Sequence, residues 1–221
     1  MNCCSNDEKE YELMNGYAWM LATKAAAQEM PNYVQELCLL DTEIGDGDHG
    51  VTIGRGYQSI EAGVEVQPDM ALDVFCKSFS NALATNMGGA IGPVYGVFWK
   101  AFARTCAGRT EVDSSLMADA FAAAVQRISA VCQVKQGEKT MFDALVPTAE
   151  AMEANRTQPL ETAMAAAVAA AQTGCESTRD MIAKKGRARF LAERSQGHID
   201  AGAFSFVRWM QAWEKAMKER M

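Results

Sequence analysis

The chain has 221 residues, 49% hydrophobic and 22% charged, enough for one large domain or two small ones. Lys+Arg 21 against Asp+Glu 28 leaves a net charge of −7, which argues against a nucleic-acid binder with its usual basic face. The start, Met1 to Glu10, is polar and acidic with no signal-peptide core, and no apolar run is expected to reach the length of a membrane span. A cytoplasmic protein is expected.

Residues from about 7 to 30 carry Tyr11, Met14, Trp19, Leu21 and Ala25 at roughly helical spacing. Residues 1–8, including Cys3-Cys4, read as a frayed end. Pro31 breaks the run. A short helix over 32–40 places Tyr33, Val34, Leu37 and Cys38 on one side and leads into Asp41-Thr-Glu-Ile-Gly-Asp-Gly-Asp-His-Gly50. The glycines of that stretch permit tight turns, so its carboxylates can converge. Converging carboxylates repel and need a hard, oxygen-seeking divalent cation. Asp41, Asp46 and Asp48 are the metal candidates. A solvated acidic turn is the bland alternative; three aspartates on this glycine pattern weigh against it. An EF-hand would need Gly at loop position six and Glu at twelve, and neither register from Asp41 or Asp46 supplies them. No P-loop motif lies nearby. His49-Gly50 opens a helix to about Ala62, whose N-terminus attracts anions.

Pro68-Asp69 reads as the start of a helix with Met70, Leu72, Val74, Phe75, Phe79 and Leu83 as its apolar positions, ending near Asn86. Gly88-Gly89 then bares backbone N–H groups ahead of an apolar helix through Val94, Tyr95, Val97, Phe98, Trp99 and Phe102. This is a second anion-receptive element, although glycines also serve close packing. Asp113-Ser114-Ser115 caps a helix to about Val134 with Leu116, Phe121, Val125 and Ile128. Residues 136–143 form a polar loop in which Thr140 could cap the helix that follows and Lys139 could meet a phosphate, a solvated lysine being the default. Glu161 to Thr173 is almost uniform alanine, a closely packed helix by propensity, with a further helix to Lys184. Residues 185–202 concentrate positive charge in an acidic chain, and a cation there would suit a transferring phosphoryl group. The last helix, from Ala203, carries Phe204, Phe206, Val207, Trp209, Met210 and Trp213. The scattered cysteines, with no CxxC pair, read as small buried hydrophobes.

No alternating β-branched run survives this pass. The expectation is an all-α, single-domain bundle over 1–221, with the loops near 41–50, 85–93, 136–143 and 186–202 gathered at one end and short links favouring antiparallel neighbours.

Four motifs in order resemble one family. They are Asp41-x-Glu-Ile-Gly-Asp-Gly-Asp-His-Gly, Gly88-Gly-Ala-x-Gly-Pro, Gly137-Glu-Lys-Thr-Met-x-Asp, and Lys185-Gly-Arg-Ala-x-x-Leu-x-Glu-Arg-Ser-x-Gly-His-x-Asp. Together they resemble the nucleotide-binding L subunit of dihydroxyacetone kinase, the DhaL type, over about residues 15–220. The resemblance implies a barrel of about eight antiparallel amphipathic helices with a nucleotide, ADP or ATP, on its rim. It implies two Mg²⁺ ions held by Asp41, Asp46 and Asp48. His49, Gly50, Val51 and Thr52 would run along the phosphates, and Gly88, Gly89, Ala90 and Ile91 would form the second phosphate loop. Met141 would pack on the adenine, Arg187 would act on the phosphates, and Asp200, Ala201 and Gly202 would close over base and ribose. Two positions depart from the family pattern: Ile91 replaces a usual serine and Ala201 a usual proline.

In the resembled family the keto-triose is carried covalently by a separate K subunit, so a partner is implied, and a homodimer is a further expectation. ADP serves either as a resident cofactor recharged by a phosphotransferase-system M-type protein or, as ATP, as a consumed substrate. His49 after the last aspartate leans toward the first mode. A ketotetrose acceptor, or a non-catalytic nucleotide-binding regulator, are the alternatives.

Overall fold

The computed structural model describes residues 13–221. Among them are nine α-helices: α1 (Gly16–Glu29), α2 (Val34–Ile44), α3 (His49–Gly63), α4 (Leu72–Asn86), α5 (Ile91–Thr105), α6 (Ser114–Cys132), α7 (Phe142–Ala154), α8 (Leu160–Ser177) and α9 (Ala201–Lys218). Each packs on its successor from α3 to α9, and α1 touches both α3 and α9. Eight helices thus close into a barrel, with α2 lying outside against α3.

The interior is solid. Trp19 of α1, Phe79 of α4, Phe98, Trp99 and Phe102 of α5, and Trp209 and Trp213 of α9 are fully buried against one another. Ring centroids of Phe79 and Trp99 lie 4.5 Å apart, and those of Trp209 and Trp213 5.4 Å. Such pairs add about 0.5–1.5 kcal/mol each beyond the area they bury. The Trp213 indole donates to Thr23 Oγ1 at 2.9 Å, and the Thr23 hydroxyl donates onward to Trp19 O at 2.8 Å. The indole N–H groups of Trp19, Trp99 and Trp209 are buried without an acceptor, each costing about 1–3 kcal/mol. The density of apolar contact offsets that cost. On the α7–α8 side the core is built from smaller groups, Leu145, Met152, Ala163, Ala167 and Ala171, so those helices approach closely.

The fold departs from several sequence expectations. The expected helix from residue 7 begins at Gly16, where the Asn15 side chain accepts from Tyr17 N; residues 1–12 lie outside the described part. Met14–Asn15 pairs antiparallel with Glu111–Val112, a two-stranded ladder (β1, β2) too short to show a period in the sequence. Pro68-Asp69 forms a turn, with Met70 N bonded to Gln67 O, and α4 starts only at Leu72; proline suits a turn as well as a first helical turn. Asp41 lies in the last turn of α2 rather than in a loop. α8 stops at Ser177, and a 3₁₀ turn Thr178–Asp180 replaces the helix expected to Lys184. There the Thr178 hydroxyl turns back to Cys175 O while its own carbonyl accepts from Lys139 Nζ, so the helical ladder ends. α6 is the one described helix apolar and long enough to match a membrane span by composition. Its Leu116, Met117, Phe121, Ala124 and Ile128 are spent on the barrel core.

Candidate functional site

A cleft of about 480 Å³ opens at one end of the barrel, within the size range of small-molecule sites. Four chain segments form it: the α2–α3 turn, the α4–α5 turn, the α6–α7 loop, and the run from Lys185 to Gly202.

The first wall is acidic. Asp41 projects from the end of α2, Asp46 from the turn, and Asp48 from the residue preceding α3. Gly47, at φ +77°, supplies the left-handed residue that lets the chain reverse between Asp46 and Asp48. One carboxylate oxygen from each aspartate lies within 4.8 Å of the other two. Asp48 occupies the N-cap position of α3, yet its side chain makes no capping bond and stays free for the cluster. The cluster's compensation from within the chain is slight: His49 N donates to Asp41 Oδ2 at 3.3 Å, and Arg187 forms an ion pair with Asp46. Three closely spaced anionic oxygens match the hard-oxygen donor set of Mg²⁺ or Ca²⁺.

His49 sits behind this wall. Its Nε2 meets Ser205 Oγ at 3.0 Å, and that hydroxyl also donates to Gly202 O. Burial depresses the His49 pKa, while Asp41 and Asp48 pull it back up. Gly50 and Val51 do not line the cleft. Gly50 is where α3 presses on α2: a Cβ there would fall 2.0 Å from Val34 O. Val51 is 55% exposed and lies outside the cleft lining. Thr52 returns to the wall.

The second wall is the start of α5. Gly88, Gly89 and Ala90 lead into the helix, with Gly89 at φ +64°. Ala90 has no side-chain acceptor to cap the helix, so the first amides of α5 face the cleft uncapped. Ile91 and Val94 add apolar surface, and Ile128, Cys132, Val134, Met141 and Phe142 line the same cleft from the α6–α7 side. Val94, Ile128, Cys132 and Phe142 were not legible as site residues, because in sequence they repeat like any core position. Arg55, which donates to Asn86 O at 2.7 Å and lines the cleft, was also missed; only its placement one turn beyond Thr52 hints at it.

The third wall depends on a residue read in sequence as solvated or phosphate-binding. Lys139 is 1% exposed. Its Nζ donates to Thr178 O at 2.5 Å and to His198 O, stitching the α6–α7 loop to the chain before α9. Burial lowers its pKa. Thr140 does not cap α7: Met141 holds the N-cap position with no side-chain capping bond, and the Thr140 hydroxyl accepts only from Phe142 N, so the loop's main organiser is Asp143, which accepts from Gly137 N and Thr140 N. Asp200 caps α9 by accepting from Ala203 N at 2.8 Å, and burial raises its pKa to about 7. Asp200, Ala201 and Gly202 all border the cleft beside Met141. Arg187, 69% exposed, reaches across from the Lys185–Gly202 run to Asp46.

The fold is a helical barrel with an acidic cluster and an uncapped helix start on one rim, and the comparisons with known proteins give it a family. The DAK2 domain model matches residues 43–215. The ADP-binding subunit DhaL of the PEP-dependent dihydroxyacetone kinase of Escherichia coli K12 is 34% identical over 182 residues, covering 81% of this chain and 87% of that protein. The corresponding subunit of Listeria innocua kinase 2 is 38% identical over 180 residues, covering 77% and 80%. The crystal structure of C. freundii dihydroxyacetone kinase in complex with AMP-PNP and Mg²⁺ superimposes with a TM-score of 0.68 at 21% identity. It covers 97% of this chain and 37% of that one, a likeness of fold. The chain belongs to the DAK2-domain family as a DhaL-type member, which sets it among kinase subunits.

Proposed function

We propose that this chain is the nucleotide-carrying subunit of a keto-sugar kinase. In this reading it positions a Mg²⁺-bound nucleotide whose terminal phosphoryl group passes to a hydroxyl of a small ketose held on a separate K-type subunit. The observation that carries it is the single cleft in which three carboxylate oxygens within 4.8 Å share space with an uncapped helix start and an apolar wall. That combination suits a molecule that is polyanionic at one end and flat and apolar at the other.

Asp41, Asp46 and Asp48 would hold the metal, one or two ions, which would neutralise the phosphate oxygens. The α5 amides after Gly88, Gly89 and Ala90 would donate to phosphate oxygens, and Met141 with Ile91 and Val94 would receive the base. Asp200, Ala201 and Gly202 would border base and ribose. Arg187, exposed and paired among the described residues with Asp46, is free to swing toward charge that develops on the transferring group. In the transfer the bond from the terminal phosphorus to its bridging oxygen would break and one to the sugar oxygen would form, the nucleotide leaving one phosphate shorter. The hydroxyl proton would leave through a base on the partner. We favour nucleoside diphosphate as a resident cofactor recharged by a phosphotransferase-system donor. The relatives matched over most of their length carry PEP-dependent, ADP-binding names, and those names support that mode.

The test is release of labelled ADP from the purified protein in Mg²⁺, chased with ATP. Very slow release supports the resident-cofactor mode, and fast exchange would make ATP the substrate. Binding without transfer to dihydroxyacetone or a ketotetrose on any K-type subunit would make the chain a regulator instead. Absence of Mg²⁺-dependent nucleotide binding would sink the whole reading.

A further inference from the structure

Among the described residues the most exposed large apolar side chain is Phe190, at 75%. It stands in a strap, Ala188–Ser195, beside the cleft; Lys185, Gly186, Arg187 and Ala188 already line the opening. The Arg189 guanidinium lies 4.6 Å over the Phe190 ring, capping it with charge without covering it. Lys184, Lys185, Arg187, Arg189 and Arg194 crowd residues 184–194 against one acid, Glu193, in a chain of net charge −7.

This strap is fastened, not frayed. Ser195 Oγ accepts from Ala183 N at 2.9 Å and donates to Ala192 O at 2.6 Å. Gln196 Nε2 donates to Asp180 O, and Gly197 N to Arg179 O. Ala192 is held at φ 51°, ψ −127°, a conformation costly for a residue with a Cβ. A fastened segment that presents a bare aromatic ring amid arginines has the composition of a binding hot spot, where aromatic and Arg anchors dominate.

The kinase reading above supplies the geometry that this inference rests on. An acceptor hydroxyl must come within about 3–3.5 Å of the transferring phosphorus. Any protein that delivers it to this cleft must cover the opening and meet the strap. We propose that the strap, with Phe190 as its anchor, is the docking element for the acceptor-bearing subunit, whose matching surface is an apolar pocket rimmed by carboxylates. The basic strap steers an acidic partner to the one opening from which transfer is possible.

The test uses the full chain with its cognate K-type subunit and the variants Phe190→Ala and Arg189→Glu. Both should bind Mg²⁺-nucleotide as the wild type does. Phe190→Ala should weaken the K-subunit Kd by about 10-fold or more, the scale of a hot-spot truncation, with the rate at saturating K subunit unchanged. Arg189→Glu should slow association and flatten its dependence on salt. An unchanged Kd in Phe190→Ala, beside normal wild-type turnover, overturns the docking role and leaves the kinase reading intact. Loss of nucleotide binding in Phe190→Ala also overturns it, making the strap a lid. Binding of anionic vesicles, lost in both variants while the K-subunit Kd holds, would assign the strap to a lipid surface instead. If the wild type itself neither binds nucleotide nor transfers, the kinase reading fails and the docking role falls with it.

Discussion

Inside the barrel, Trp19, Trp99, Trp209 and Trp213 lie ring against ring with no exposed surface. At the rim, Asp41, Asp46 and Asp48 bring carboxylate oxygens within 4.8 Å of one another and are half-buried or exposed. The first cluster is stable because it is neutral and excludes water. The second is costly because it is charged, and within the chain it has little beyond Arg187 to oppose it. An array of like charges adds nothing to folding. The proposed function gives it a reason, a metal ion from outside the chain that would complete it. If the core carries stability and, as proposed, the rim carries binding, substitutions in the two regions should separate cleanly.

The largest effect is expected from the core. Trp213→Ala removes a ring packed against Trp19, Trp99, Phe102 and Trp209 and should cost about 3–5 kcal/mol. A fall in Tm of about 10 °C should follow, at 2–4 °C per kcal/mol for a chain of this size, measured by calorimetry. A drop of only a few degrees would mean that the interior repacks freely. Arg187→Ala should do the reverse. Its exposed ion pair contributes less than about 1 kcal/mol, so Tm should hold. Turnover with the K-type subunit should fall about 10³-fold, the lower range for an arginine on a transferring phosphoryl group, with nucleotide affinity nearly spared. Equal losses in affinity and turnover would reduce Arg187 to a binding group. Asp46→Asn should weaken Mg²⁺-nucleotide binding about 100-fold, since even residues behind a metal's ligands can cost that much. Tm of the nucleotide-free protein should hold or rise as repulsion is relieved. Unchanged affinity by titration calorimetry would refute the metal assignment, and a large fall in Tm would show that the acidic turn is structural after all.

The same contrast explains what could be read from the sequence. The barrel helices were legible because their apolar residues recur at helical spacing, and the rim because its motifs are chemically odd: clustered aspartates, paired glycines, arginines in an acidic chain. What failed lies between these extremes. Ile128 and Cys132 line the cleft, yet in sequence they continue the apolar stripe of α6, and no period separates a wall from a core. Lys139 looks like a surface cation until the fold brings the carbonyls of Thr178 and His198 around it, contacts 39 and 59 residues away. Pairing of Met14–Asn15 with Glu111–Val112 spans nearly half the chain on two residues per strand, too few for a pattern.

The smallest expected effect tests the boundary between the two regions, where Asp200 caps a core helix and faces the cleft. Burial raises its pKa to about 7, against the accepted amide of Ala203 and the nearby Lys139, which pull it down. The unfolded chain returns the carboxyl to its ordinary range near 4. Below about pH 4 both states hold the proton. Between about 4 and 7 the folded state holds it and the unfolded state does not, so stability from this group falls as pH rises, and it levels off above 7. Asp200→Asn keeps a cap acceptor for Ala203 N but cannot titrate. Other carboxylates with lowered pKa values, such as Asp73 beside Lys77, slope the opposite way. The readout is therefore the difference between wild type and Asp200→Asn in denaturation midpoint across pH 4–8, on nucleotide-free protein. That difference should move steadily against the wild type as pH rises and stop near 7. The residue is mostly shielded but borders the open cleft, so the change should be modest. Parallel pH profiles would mean that Asp200 is ionised throughout, which would make it part of the charged rim rather than of the core it caps.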